Sequence, residues 1–225
     1  MSVLNQRRHI LPEMEGRTAR WYARQRGTPA QIAVFREQAK QLTAKTPANA
    51  DILEVAPGPG YLAIEMSRLG SFKVTGLDIS HTMVDIAREN AAAAGANIDF
   101  RLGDVTEMPF ADGSFDLIVC QAAFKNFLHP VTALNEMHRA LRAGGTAVIQ
   151  DMRHEATNAD IASEIGTQKL STINSFITRA VLRRLRKRAF TAGQFERLVA
   201  ESKFRTCEIS SAGIGIEVRL TKTAG

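Results

Sequence analysis

At 225 residues, with 44% hydrophobic and 23% charged side chains, the chain holds enough apolar material for a full core, which excludes a disordered or fibrous protein. MSVLNQRRHILPEMEG at its start has no apolar signal-like run, and no later run reaches membrane-spanning length. The expectation is therefore a soluble, cytoplasmic protein without a membrane span. The net charge of +6 is local: residues 179 to 188 hold six basic side chains and no acid, which equals the whole excess, and residues 1 to 40 carry eight basic side chains against three acidic, leaving the rest net acidic.

Residues 13 to 45 read as helix, with Trp21, Ile32, Phe35, Ala39 and Leu42 at helical spacing and an interruption at Gly27-Thr28-Pro29. From Ala50 short apolar runs alternate with helical stretches. Strands are predicted at 51–56, 73–78, 98–102, 115–121 and 145–151, with helices at about 61–69, 81–94 and 131–142; Ser80 serves as an N-cap and Gly95 as a stop. This rhythm predicts right-handed βαβ units and a parallel sheet covered on both faces. After Met152 it breaks: 156–188 reads as wholly helical, a last helix runs from about 191 to 202, and strands at 204–210 and 214–221 form a hairpin around Ser211-Ala212-Gly213. The fold class is α/β, a Rossmann-like seven-stranded, mostly parallel sheet with a terminal antiparallel strand pair and a helical cap. The expected organisation is a helical cap (1–45), a cofactor-binding core (46–152), a helical lid insertion (153–190), and a last helix and strand pair that complete the core (191–225). Cys120 and Cys207 lack metal or redox spacing, so no metal site is expected.

Open α/β sheets bind ligands outside the carboxyl ends of their strands, where the strand order reverses. The first strand ends in Pro57-Gly58-Pro59-Gly60 and leads straight into a helix; glycine lets backbone approach a ligand closely. Twenty residues past Gly58 the second strand ends in Asp78, the spacing at which a carboxylate accepts hydrogen bonds from both hydroxyls of a ribose. The third ends in Asp104-Val105, an acceptor for an adenine amino group beside an apolar ring contact. A lone glycine loop is weak evidence; the series along one rim is strong.

These residues resemble the motifs of class I S-adenosylmethionine-dependent methyltransferases, in particular the group related to quinone-biosynthesis and small-molecule methyltransferases. The pieces are Glu54-Val-Ala-Pro-Gly58-Pro-Gly60, Gly76-Leu-Asp78-Ile-Ser80-His-Thr-Met83, Gly103-Asp104-Val105, Met108-Pro-Phe110, Ser114-Phe-Asp116 and Glu136 through Gly145. The likeness is close over about 50–152 and loose over the last 35 residues. One departure is Ala56, which stands where the group usually has its first glycine. The resemblance implies that Glu54 belongs to the cofactor-binding set, that Ala56, Gly58 and Gly60 flank the methionine moiety, that Asp78 holds the ribose, that Ile79 and Met83 pack on adenine, and that Asp104 and Val105 read its edge. Gln121 would contact the methionine portion, and Tyr22 would close over the cofactor, although its position also suits ordinary helix packing.

Methyl transfer from a sulfonium is an in-line displacement, so the protein must place a nucleophile, exclude water and sometimes take a proton. Candidates lie in the loops after the fourth and fifth strands: His129, His154 and Asp151. His129 precedes Pro130 at a helix start and reads equally as a loop residue; many relatives need no dedicated base. Leu170, Ile173, Ile177, Ala180/Val181 and Leu185 form an apolar stripe beside the basic run, predicted to lie over the catalytic rim. The charge there reads first as a solvated face, next as attraction for an anionic small-molecule acceptor, and last as a nucleic-acid surface. The expected function is methyl transfer from S-adenosyl-L-methionine to a small organic acceptor at oxygen, nitrogen or carbon. The rivals are an RNA methyltransferase, a non-catalytic S-adenosylmethionine-binding module and, because Gly58 through Ala63 also fits GxGxxA, a nicotinamide dehydrogenase.

Overall fold

A computed structural model describes residues 14–167 and 172–223. Helices α1 (Gly16–Arg26) and α2 (Pro29–Thr43) precede the sheet. The break between them follows the local chemistry: Thr28 caps α2, its hydroxyl accepting from the Gln31 N–H, and Pro29 occupies the first turn, where its missing N–H costs nothing. Then come β1 (Asp51–Val55), α3 (Tyr61–Ser67), β2 (Lys73–Asp78), α4 (His81–Ala93), β3 (Asp99–Leu102), β4 (Phe115–Gln121), a short 3-10 turn at Phe124–Asn126, α5 (Pro130–Ala140) and β5 (Leu141–Met152). The chain closes with α6 (Asn158–Thr167), α7 (Thr172–Arg186), α8 (Ala192–Glu201), β6 (Glu208–Ala212) and β7 (Gly215–Thr221).

The seven strands form one sheet in the order β3-β2-β1-β4-β5-β7-β6. The first five are parallel; β7 runs antiparallel to β5 on one side and to β6 on the other. The expected seven-stranded, mostly parallel sheet is therefore the observed one. Strand order reverses between β1 and β4, which makes their carboxyl ends the ligand-binding position of such a sheet. Both faces are covered, which explains the nearly continuous apolar runs of the central strands. On one face Leu53, Val55, Ile118, Cys120 and Ile149 pack with Leu134 and Met137 of α5 and Phe195 and Leu198 of α8. On the other, Ile52, Val74, Leu117, Val119 and Val148 pack with Phe35 and Leu42 of α2, Ala63 and Met66 of α3, and Val84 and Ala87 of α4.

Among the described residues of 156–188, α6 and α7 pack against each other. Several expectations are corrected. Of the described members of the predicted α7 stripe, Leu185 packs inward with Leu182 and Ala189 against Met152, Ala156, Ile161 and Ile165, whereas Val181 is half exposed and Ala180 faces outward. Leu170 and the side chains of Ile173 and Ile177 lie outside the described residues. The hairpin turn is Gly213-Ile214, since Ser211 and Ala212 pair with Ile216 and Gly215; Gly213 takes a positive φ of 51°, which suits glycine. The sixth strand begins at Glu208, after a loop in which Ser202 and Phe204 turn inward.

Candidate cofactor and methyl-transfer site

Strand alternation sets the positions at the switch point. Ile52 belongs to the face packed by α3, so Glu54, two residues on, projects from that same face at the start of α3, and Gln121 does so beyond Val119 on the neighbouring strand. These side chains line a narrow cleft with Ala56, Gly58 and Tyr61, closed from above by Tyr22 and Arg26 of α1 and Phe35 of α2. A wider hollow, lined by Ser67, Phe72, Lys73 and Asn97, lies at the opposite, amino-terminal end of β2.

Glu54 is the anomaly of the cleft. It is 3% exposed, and its Oε2 is one of only two buried side-chain oxygens among the described residues that have no hydrogen-bond partner, Gln38 Oε1 being the other. Burial pushes its carboxyl up to about 8, with the nearby Asp78 adding to the rise and a hydrogen bond from the Ala63 N–H opposing it. An unpaired buried acceptor is costly unless a cation or donor comes to meet it.

The glycine loop divides into two kinds of position. Gly58 has φ +52° and faces open space, and its N–H donates to Asp78 Oδ2 at 3.0 Å. Gly60, at φ +78°, caps α3, and a Cβ there would lie 2.7 Å from Phe100 Cζ and 3.0 Å from the Ala87 Cβ. Gly58 thus borders the open cleft, and Gly60 makes room for the wedge formed by Phe100. Ala56 adopts φ +54° with a methyl group attached, and Ala122, just past β4, does the same at φ +56°. Each left-handed alanine costs roughly 1–2 kcal/mol. The departure from the family's first glycine is therefore met by strain, with the left-handed turn kept.

Asp78 is buried; its Oδ1 accepts from the Ser80 N–H at 2.9 Å, and burial raises its pKa while the Ser80 and Gly58 N–H groups oppose that. A carboxylate offers about four lone-pair sites, so both oxygens retain acceptor capacity. The N-terminal segment straps across this point. Ser80 Oγ donates to the Met14 carbonyl while accepting from the Met83 N–H, and Glu15 accepts from the backbone and hydroxyl of Thr82. Met83 is buried with Ala19, Ala23 and Tyr22 beneath α1, whereas Ile79 is 47% exposed. Asp104 is exposed, its Oδ1 bonded to the Thr106 N–H and hydroxyl, and Val105 is partly buried against the core. The end of α1 is pinned to the loop by Tyr61 Oη, which donates to the Ala23 carbonyl at 3.2 Å, and a Cβ on Gly27 would collide with that hydroxyl. Arg26 stacks 4.8 Å from the Phe35 ring centre and donates to Gln31 Oε1, leaving other donors free to face the cleft. Sequence reading missed Arg26, because only the docking of α1 brings it into the lining of the cleft that holds Glu54.

The three catalytic candidates do not converge on this cleft. Asp151 lies on the other sheet face, buried, with its carboxylate accepting from Lys125 Nζ at 2.8 Å, the Lys125 N–H at 2.9 Å and the Met152 N–H at 2.7 Å. Lys125 also donates to the Ala122 carbonyl, so this buried pair holds the left-handed turn after β4. His129 is exposed at the N-cap of α5 and makes no side-chain cap. His154 is exposed, its Nδ1 3.0 Å from the Arg186 carbonyl at the end of α7. Among the described residues no group of three or more His, Cys, Asp or Glu side chains is arranged to hold a metal ion, and no helix is long and apolar enough to cross a membrane.

Residues 52–145 match a family model described as a methyltransferase domain. Demethylmenaquinone methyltransferase of Deinococcus radiodurans is 38% identical over 99 residues, 44% of this chain and 41% of that protein. A ubiquinone/menaquinone biosynthesis C-methyltransferase of Geotalea uraniireducens is 37% identical over 102 residues, 44% of this chain and 43% of that protein. The chain thus spans about two fifths of the length of these relatives. A solved SAM-dependent methyltransferase from Aquifex aeolicus superposes with a TM-score of 0.70 at 16% identity, covering 90% of this chain and 98% of that one, a likeness of fold.

Proposed function

We propose that this chain, whose core is a methyltransferase domain of the class I S-adenosylmethionine-dependent type, transfers a methyl group from S-adenosylmethionine to a small organic acceptor. The observation that carries the reading is the buried, unpartnered Oε2 of Glu54 in a cleft whose floor is the open face of Gly58. A cationic α-ammonium answers that carboxylate, and the Arg26 guanidinium in the lining of the same cleft suits an α-carboxylate, so the cleft fits the zwitterionic end of the cofactor. The cofactor supplies the activated methyl carbon when bound. Asp78 would hold the ribose hydroxyls with the lone pairs its backbone bonds leave; Ile79 and Val105, with Met83 beneath, would flank adenine, and Asp104 would accept from its amino group. Gln121, Ala56 and the face of Tyr22 would border the methionine portion.

For the acceptor, the chain's part is to position it in line with the methyl carbon and to exclude water. His129 and His154 stand away from the cleft and Asp151 is held by Lys125, so the proposed reaction assigns none of them a proton. Electron-rich ring carbons are the first acceptor class to test, since two relatives carry quinone names, with oxygen and nitrogen acceptors next. Calorimetry with S-adenosylmethionine, S-adenosylhomocysteine and NADH tests the cofactor: binding of both sulfur ligands is expected, and tight NADH binding without them overturns the reading. Radiolabelled methyl transfer into a small-molecule extract, with total RNA in parallel, tests the acceptor; label in RNA alone overturns that part.

A further inference from the structure

Two helices, each with four arginines, lie at the carboxyl rim of the sheet. Helix α1 is held against the start of α4 just past β2, and α7 packs against Met152 at the end of β5. Each has a buried and an outer face. In α1, Ala19 and Ala23 face inward against Met83 and Ile86, while Arg17, Arg20, Trp21 and Arg24 share the opposite face at spacings of three and four. In α7, Leu182 and Leu185 face inward, and Phe176, Arg179 and Arg183 line the outside at the same helical spacing, with the exposed Lys187 just past its end. Trp21 is 57% and Phe176 75% exposed, the two most exposed large apolar side chains among the described residues. Neither helix contains an acidic residue, and outside residues 1–40 and 179–188 acids outnumber bases.

A solvated cationic face has no need of an exposed aromatic ring, and that pairing occurs twice: Trp21 lies among the arginines of α1, and Phe176 lies about one turn before Arg179. We propose that this rim docks on the surface of an anionic lipid bilayer, with the arginines and Lys187 at the level of the lipid phosphates and Trp21 and Phe176 in the headgroup–acyl boundary. The chemistry is that of interfacial amphipathic helices: cations draw the helix to the anionic surface, and a large ring supplies the apolar contact that charge alone lacks. The net acidic remainder would be repelled by the same surface, so charge also selects the orientation. A nucleic-acid strand is held in a cationic groove with aromatic platforms inside it. Here the rings stand on the outer faces of two separate helices, which suits an extended soft surface better. Docked in this way, the mouth of the cleft closed by α1 lies near the membrane.

Trp21 is the only tryptophan of the chain, so its emission reports the contact directly. Phosphatidylcholine vesicles with and without phosphatidylglycerol are added to the full chain at low and high salt. The expected result is a blue shift and quenching by brominated lipid with the anionic vesicles only, reversed by salt. Co-sedimentation should fall about tenfold or more for the triple variant Arg17→Gln/Arg20→Gln/Arg24→Gln and measurably for Phe176→Ser, with far-ultraviolet circular dichroism unchanged because these side chains lie outside the core. No shift with anionic vesicles, equal partition into neutral ones, unchanged sedimentation of the folded variants, or binding to duplex DNA or RNA with none to vesicles overturns the proposal.

Discussion

Glu54→Gln separates the cost of the buried carboxyl from its use. Its folded-state pKa of about 8 lies above the unfolded value of 4.5, so the folded chain binds the proton more tightly and stability falls as pH rises between those values. At pH 7, 2.5 units above the unfolded value, holding the group protonated costs about 3 kcal/mol at 1.36 kcal/mol per unit, which is the ceiling on what glutamine can restore. Without ligand, the variant should therefore melt higher at neutral pH and lose the alkaline decline of the parent chain. With S-adenosylmethionine the order inverts. An ammonium beside Glu54 favours the ionised form, so binding releases a proton; affinity should climb nearly tenfold per pH unit from about pH 6 and level off near 8. Removing the charge should cost about 1–3 kcal/mol of binding, roughly 5- to 150-fold, and flatten that profile. Calorimetry in two buffers of different ionisation enthalpy counts the proton directly. A parent chain that releases none, or a glutamine variant that binds as tightly across the pH range, would refute the assignment of Glu54 to the cofactor's ammonium.

Asp78→Ala should lose most of the affinity for S-adenosylmethionine and S-adenosylhomocysteine alike in equilibrium titration, since the proposed ribose contact is common to both; unchanged binding would place the ribose elsewhere. Arg26→Ala should weaken S-adenosylmethionine about tenfold but leave 5′-deoxy-5′-methylthioadenosine, which lacks the amino-acid end, within about twofold; equal losses on both would mean that Arg26 acts only through packing. Gly60→Ala should lower the melting temperature by several degrees, because its methyl meets Phe100 in addition to the left-handed strain, whereas Gly58→Ala should carry the left-handed strain alone, a smaller loss, and also weaken the cofactor, its methyl entering the open cleft. Lys125→Met strands the buried Asp151 carboxylate and should destabilise the chain by about 3–5 kcal/mol in denaturant titration, with part of that recovered in Lys125→Met/Asp151→Leu.

The rim itself was legible in the sequence. Each of its markers ends an apolar run or opens a helix, and the spacing of Glu54, Gly58, Asp78 and Asp104 follows from the lengths of the strands and of the helices between them. Local rules also placed the α1–α2 break at Thr28-Pro29 and the cap at Ser80, since both depend on neighbours within a few residues. What needed the tertiary structure were pairings between distant segments. The sequence shows two terminal strands but not that β7 inserts between β5 and β6, because sheet order is set by which edges the packed helices leave open. Periodicity put Val181 in the stripe of α7 together with Leu185; packing keeps Leu185 and turns Leu182 rather than Val181 inward, since neighbouring positions on a helix can be equal in apolar content and only the surface beneath decides between them. Asp151 resembled a base by position and is held by Lys125, a partner 26 residues earlier in the chain. Glu54 shows the division most clearly: its place at a strand end is written in the chain, while its unpaired oxygen and raised pKa arise only when α1, α2 and α3 close around it and exclude water.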